Sequence, residues 1–142
     1  MRAPLVVRRT IRASVERVFA AWTEPAHLVR WWGPRPVVCA GAEIDLRVGG
    51  AYAIGNRFPD GSELWIRGEF VRIDRPRELV YTWRVGDAAA SERVTVRFEA
   101  KDGATEVVIV HEDIASDRAR AEHERGWLGC LDGLEQLYSI VS

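Results

Sequence analysis

The sequence predicts an α+β fold in which a curved antiparallel sheet of about six or seven strands wraps around one long C-terminal helix, with two short helices after the first strand. Three observations carry this. Strand-like segments follow one another at hairpin distance between Arg35 and Asp113 with no helix among them, which makes the sheet antiparallel. After Ser116 the apolar spacing changes to that of a helix. Neither repeat nor linker interrupts the 142 residues, so residues 1–142 read as one domain.

Leu5 to Ile11 is rich in β-branched residues and reads as the first strand. Ser14 is the N-cap of a helix whose face is Val15, Val18, Phe19 and Trp22. Arg17 stands where a capping-box acid would sit, so that cap rests on the serine hydroxyl alone. Pro25 opens a second short helix, PAHLVRWW, which stops at Gly33-Pro34. Strands follow over Arg35 to Leu46 and Ala51 to Arg57, separated by Gly49-Gly50, and Pro59-Asp60-Gly61 turns the chain. Glu63 to Ile73 is a long strand, with Gly68 marking a bulge or sharp bend. The segments ELVYTWRV, SERVTVRFEA and TEVVIVHED complete the sheet, the last two joined at Lys101-Asp102-Gly103. The final helix, capped by Ser116 or Asp117, carries Trp127, Leu131, Leu134 and Tyr138 on one stripe. Its Gly126, Gly129 and Gly133 each cost about 1 kcal/mol relative to alanine, which points to close backbone approach or to space kept for something else. One terminal helix is the only element long enough to cover the apolar face, and a strongly twisted sheet curling around it encloses a space.

Composition excludes several classes of function. Hydrophobic residues make up 47%, charged residues 29% and the net charge is −1, the balance of a folded globular chain. No basic run offers a nucleic-acid surface, no apolar stretch spans a membrane, and the arginine-broken N-terminus is no secretory signal. Cytoplasm is the expected compartment. Cys39 and Cys130 read as two buried thiols, and no His/Cys spacing calls for a metal or other cofactor. Near-neutral charge permits a homodimer without requiring one. The unusual feature is six tryptophans, a residue suited to walls that are apolar on one side and polar on the other.

Four segments, WTEPAHLVRWWGP (22–34), DLRVGGAY (45–52), RPRELVYTW (75–83) and GWLGCLDGLEQL (126–137), resemble the family named for homology to the activator of the ninety-kDa heat-shock-protein ATPase. That family belongs to the START-like (SRPBCC) superfamily with the polyketide cyclases and birch-pollen-allergen proteins. The resemblance implies the helix-grip fold and a hydrophobic cavity. It does not imply the chaperone role, because eukaryotic activators carry an additional N-terminal domain, so a chaperone is not the expected partner.

His111 closes the alternating set Val107, Ile109, His111, so period two places it on the cavity side. A histidine on an apolar wall serves as a general base or a polar anchor, although a histidine satisfied by neighbouring strands is the commoner case. His27 and His123 lie among polar helix residues and read as surface. Glu43 and Asp45 form a same-face pair, more often a solvated strand face than an acid–base pair. Weak catalytic candidates are therefore His111, Asp45 and Tyr81. Trp32, Tyr52, Trp65, Tyr81, Trp83, His111, Trp127, Leu131 and Leu134 are the expected ligand wall. Arg67 shares parity with Trp65 and is expected to face solvent.

Three functions compete. The first is a module binding a small hydrophobic or aromatic molecule, which the aromatic excess and the lack of a legible catalytic constellation favour. The second is a cyclase- or hydratase-like enzyme using His111. The third is a heat-shock ATPase co-chaperone acting through its surface. If the cavity is absent, or already filled by the tryptophans, the first two fail together.

Overall fold

The computed structural model describes residues 3–33, 35–88 and 90–139. Strand β1 (Leu5–Ile11) leads to helices α1 (Val15–Thr23) and α2 (Pro25–Leu28). Six strands follow: β2 (Val38–Ile44), β3 (Ala51–Arg57), β4 (Glu63–Asp74), β5 (Glu78–Val85), β6 (Glu92–Lys101) and β7 (Ala104–Glu112). Helix α3 (Asp117–Ser139) ends the described chain. All strands join one antiparallel sheet of order β1-β7-β6-β5-β4-β3-β2, so β1 crosses over to pair with β7. This is the helix-grip architecture expected. No helix among the described residues is long and apolar enough to cross a membrane.

Local chemistry explains the element ends. Ser14 Oγ accepts from the Arg17 amide at 3.3 Å and Ser116 Oγ from the Ala119 amide at 3.1 Å, so serine hydroxyls cap both α1 and α3. Asp102 and Gly103 hold φ of 52° and 82°, the left-handed pair that a tight hairpin requires between β6 and β7.

Three boundaries differ from expectation. Helix α2 stops at Leu28 rather than running to Trp32. From Arg30 the backbone bonds shorten to i→i−3, Arg30 N–H to the His27 carbonyl and Trp31 N–H to the Leu28 carbonyl, the tightening common at helix ends. Strand β2 is shorter than Arg35 to Leu46. The β4–β5 bulge lies between Phe70 and Arg72, not at Gly68. Gly68 instead leaves room for the Tyr52 ring, whose hydroxyl donates to the Thr82 carbonyl at 2.6 Å; a Cβ at Gly68 would overlap both groups. The expected helix stop at Pro34 and the helix end past Ser139 fall outside the described residues.

Parity builds the core. Tyr52 and Ile54 of β3, Ile66 and Phe70 of β4, Leu79, Tyr81 and Trp83 of β5, Val94, Val96 and Phe98 of β6, and Val107, Ile109 and His111 of β7 all turn to the concave face. Trp127, Cys130, Leu131 and Leu134 of α3 meet them from the other side.

Candidate functional site

The space between sheet and helix is largely occupied by rings. Trp22 packs at 4.8 Å from Trp31 and 6.2 Å from Trp127, while Trp32 lies 5.6 Å from Trp127 and 6.3 Å from Trp83, centroid to centroid. Two spaces adjoin these rings among the described residues. One space, lined by Trp22, Leu28, Ile44, Tyr52, Ile54, Phe70 and Tyr81, has a volume of ≈ 20 Å³, about enough for one water. The other has ≈ 190 Å³ and opens between β3, β4, β5 and α3, where Trp32, Asn56, Ile66, Trp83, His123 and Trp127 contribute to its wall.

The indole nitrogens discriminate between the tryptophans. Trp22 donates to the Tyr81 hydroxyl, Trp31 to the Ala21 carbonyl, Trp32 to Asn56 Oδ1, Trp65 to Glu63 and Trp127 to His111 Nδ1. Trp83 Nε1 has no partner, the one such buried side-chain atom among the described residues. Leaving a buried donor unsatisfied costs about 1–3 kcal/mol. Trp83 is only 6% exposed and belongs to the wall of the larger pocket.

Behind that wall lies a cluster the sequence does not announce. Glu92 has the same inward parity as Val94, Val96 and Phe98, and it is the cross-strand partner of Trp83. Its Oε1 accepts from His111 Nε2 at 2.7 Å and from His123 Nε2 at 3.0 Å, and the two imidazoles stack with centroids 4.5 Å apart. Burial pushes the Glu92 carboxyl up, but the hydrogen bonds from His111 and His123 outweigh it and bring its pKa to about 2. The carboxylate is therefore ionised and only accepts, so both histidines carry a proton on Nε2.

Trp127 then separates the two histidines. An indole N–H can only donate, and it donates to His111 Nδ1 at 3.0 Å. His111 is thus neutral with both nitrogens committed. Burial lowers its pKa, and neighbouring His123 adds to that effect while Glu92 opposes it. The same geometry suits a metal poorly, since a cation on His111 Nε2 would need the lone pair of a nitrogen already protonated.

The remaining candidates divide as follows. Trp32, Trp83 and Trp127 line the larger pocket, and Tyr52 and Tyr81 the smaller. Leu131 and Leu134 are fully buried in the core. Trp65 departs from expectation: it faces outward, covers Gly55 and has the Arg67 guanidinium 5.6 Å from its ring. Asp45 lies in the exposed connection after β2, its carboxylate on Arg47 Nε at 2.8 Å. Tyr81 is pushed well up by burial, and its oxygen already accepts from Trp22. His111, Asp45 and Tyr81 do not form a constellation. His123, read as surface, is only 18% exposed in its side chain and lines the pocket. Burial also pushes the Cys130 thiol up to about 12, which keeps it protonated.

Residues 12–139 match the model of the family described as activator of Hsp90 ATPase homolog 1-like protein. The chain belongs to that family. Among solved structures, protein CV1439 from Chromobacterium violaceum is similar over 99% of this chain and 100% of its own, at 27% identity and a TM-score of 0.88. The AHSA1 protein SPO3351 from Silicibacter pomeroyi is similar over 95% and 96% of the two chains, at 24% identity and a TM-score of 0.84. The solution structure of the AHSA1-like protein from Aeromonas hydrophila covers 92% of this chain with 90% of its own, at 26% identity and a TM-score of 0.75. No curated protein matches the sequence. In this chain the unsatisfied Trp83 indole lies in front of the Glu92–His111–His123 cluster.

Proposed function

We propose that this chain is a small-molecule-binding module whose site is the pocket bounded by Trp32, Ile66, Trp83, His123 and Trp127. The observation that carries this is Trp83 Nε1, a buried donor without a protein partner in a wall whose other indoles are satisfied. An acceptor on a ligand would offset that deficit once the wall shifts enough to open Nε1, which a water molecule does not reach in this structure. The volume of ≈ 190 Å³ lies below the roughly 300–1,000 Å³ of drug-sized pockets, which favours a compact, mostly apolar molecule of about one ring. A cyclase- or hydratase-like activity through His111 is disfavoured, because neither of its nitrogens is free to take a proton.

Native mass spectrometry of freshly purified protein, with thermal shifts across a panel of single-ring aromatics bearing one acceptor, tests the reading. A retained small molecule or a stabilising compound is expected, with affinity lowered about tenfold by Trp83→Phe, the loss of one hydrogen bond to a buried donor. A clean apo mass with no shift across the panel would overturn it.

A further inference from the structure

The two histidines beside the pocket are equivalent in sequence chemistry and opposite in what they can do. His111 is locked between Trp127 and Glu92. His123 gives its Nε2 proton to the same Glu92 oxygen, so when the ring is neutral its Nδ1 holds a lone pair. No hydrogen bond to that atom occurs among the described residues, and His123 lines the pocket that also contains Trp83. A carboxylate that fixes one imidazole nitrogen and leaves the other as base is the arrangement that general-base chemistry uses.

We infer that the pocket takes a planar weak acid, such as a phenol, enol or imide, and that His123 Nδ1 receives its proton on binding. This rests on the reading of that pocket as the ligand site. In the step, the ligand O–H or N–H bond breaks, its electron pair stays on the ligand as the anion, and an N–H bond forms on His123 Nδ1. No other reactant is needed. The ligand anion is then held by the imidazolium and by the Trp83 indole N–H, while Glu92 stabilises the imidazolium from its other side.

The surrounding charges favour a neutral acid over a ready-made anion. Glu92 of β6 faces His123 directly, and neutral His111 of β7 stacks on it. From α3 itself, Glu122 lines the same pocket and pairs with Arg118, and Arg120 is held by the Ala3 and Pro4 carbonyls. A permanent carboxylate would enter beside two acidic side chains with no proton to give. A neutral acid enters uncharged and transfers its proton inside the site, leaving the net charge unchanged.

The test uses 4-nitrophenol, whose anion absorbs in the visible while the neutral form does not, and 4-nitroanisole, which has the same ring and no acidic proton. At a pH where free 4-nitrophenol is mostly neutral, adding the full chain should raise the anion band. Affinity for the phenol should exceed that for the anisole by about tenfold, the worth of a charge-assisted contact. His123→Gln should abolish the band and lower affinity for the phenol by a larger factor than for the anisole. Glu92→Gln, which removes the charge behind the imidazolium, should reduce the band about tenfold and serves if the first variant does not fold. If both compounds bind and no band appears, or if the band survives in both variants, proton transfer to His123 is wrong while the pocket stands. If neither compound binds, the pocket reading falls and this inference with it.

Discussion

At Glu92 two imidazoles share one carboxylate oxygen, and Trp127 fixes the tautomer of one of them, His111. Linkage turns that arrangement into a pH dependence of stability. His111 has a folded pKa below its ordinary 6.5, so the unfolded chain binds this proton first as pH falls. Its contribution is full above 6.5 and declines below it. Glu92 falls from an ordinary 4.5 to about 2 in the folded state, so its contribution is present above 4.5 and is lost as pH drops towards 2. Both act in one direction. Chemical denaturation across this range should show stability falling in two limbs, and His111→Gln should flatten the upper one. Stability constant down to pH 4, or rising on acidification, would contradict the proton assignments. Part of this cluster is legible in sequence, since inward parity marks His111 and, equally, Glu92. His123 carries a signal too, since it stands four residues before Trp127 on the stripe that continues to Leu131 and Leu134, but its immediate neighbours are polar and the helix pattern does not say which strand end it meets.

The glycines of α3 separate the two explanations that sequence leaves open. A Cβ on Gly133 would overlap the Trp31 carbonyl, so this glycine serves close approach of the helix to the turn after α2. Gly126 has nothing near its would-be Cβ and lines the larger pocket. Gly133→Ala should therefore destabilise the fold by about 1–3 kcal/mol through backbone displacement. Gly126→Ala should stabilise it by up to about 1 kcal/mol through helix propensity while weakening single-ring ligands that use this space. Parallel denaturation and binding measurements on the two variants check both, and a loss of stability in Gly126→Ala would mean that the space is not free. Strand boundaries followed from turn chemistry and alternation, with β1, β3 and β5 running as the residue pattern indicates. The end of α2 did not, because the change to i→i−3 bonding at Arg30 and Trp31 has no residue signature in PAHLVRWW.

The whole molecule is held by the closure of α3 over the concave sheet. Arg9 of β1 bridges to Asp132 and Glu135 of α3 at 2.8 and 2.7 Å, but pairs whose acids stand in solvent contribute about 0–1 kcal/mol. The buried stripe decides the matter: Leu134→Ala should cost about 2–5 kcal/mol by urea denaturation, whereas Arg9→Ala should cost less than about 1 kcal/mol. Equal losses would mean that the helix is fastened by charge rather than by packing. The sequence by itself determined the order of elements, the antiparallel sheet and the inward sets, because turn residues and side-chain periods are local properties. Only the tertiary structure decided that the tryptophans fill most of the space they were expected to line, because the volume left over depends on how rings from α1, α2, β5 and α3 interlock. It likewise singled out Trp83 as the unsatisfied indole and His123 as the histidine with a nitrogen to spare. Hydrogen-bond partners contributed by strands and helices far apart in the chain have no local signature.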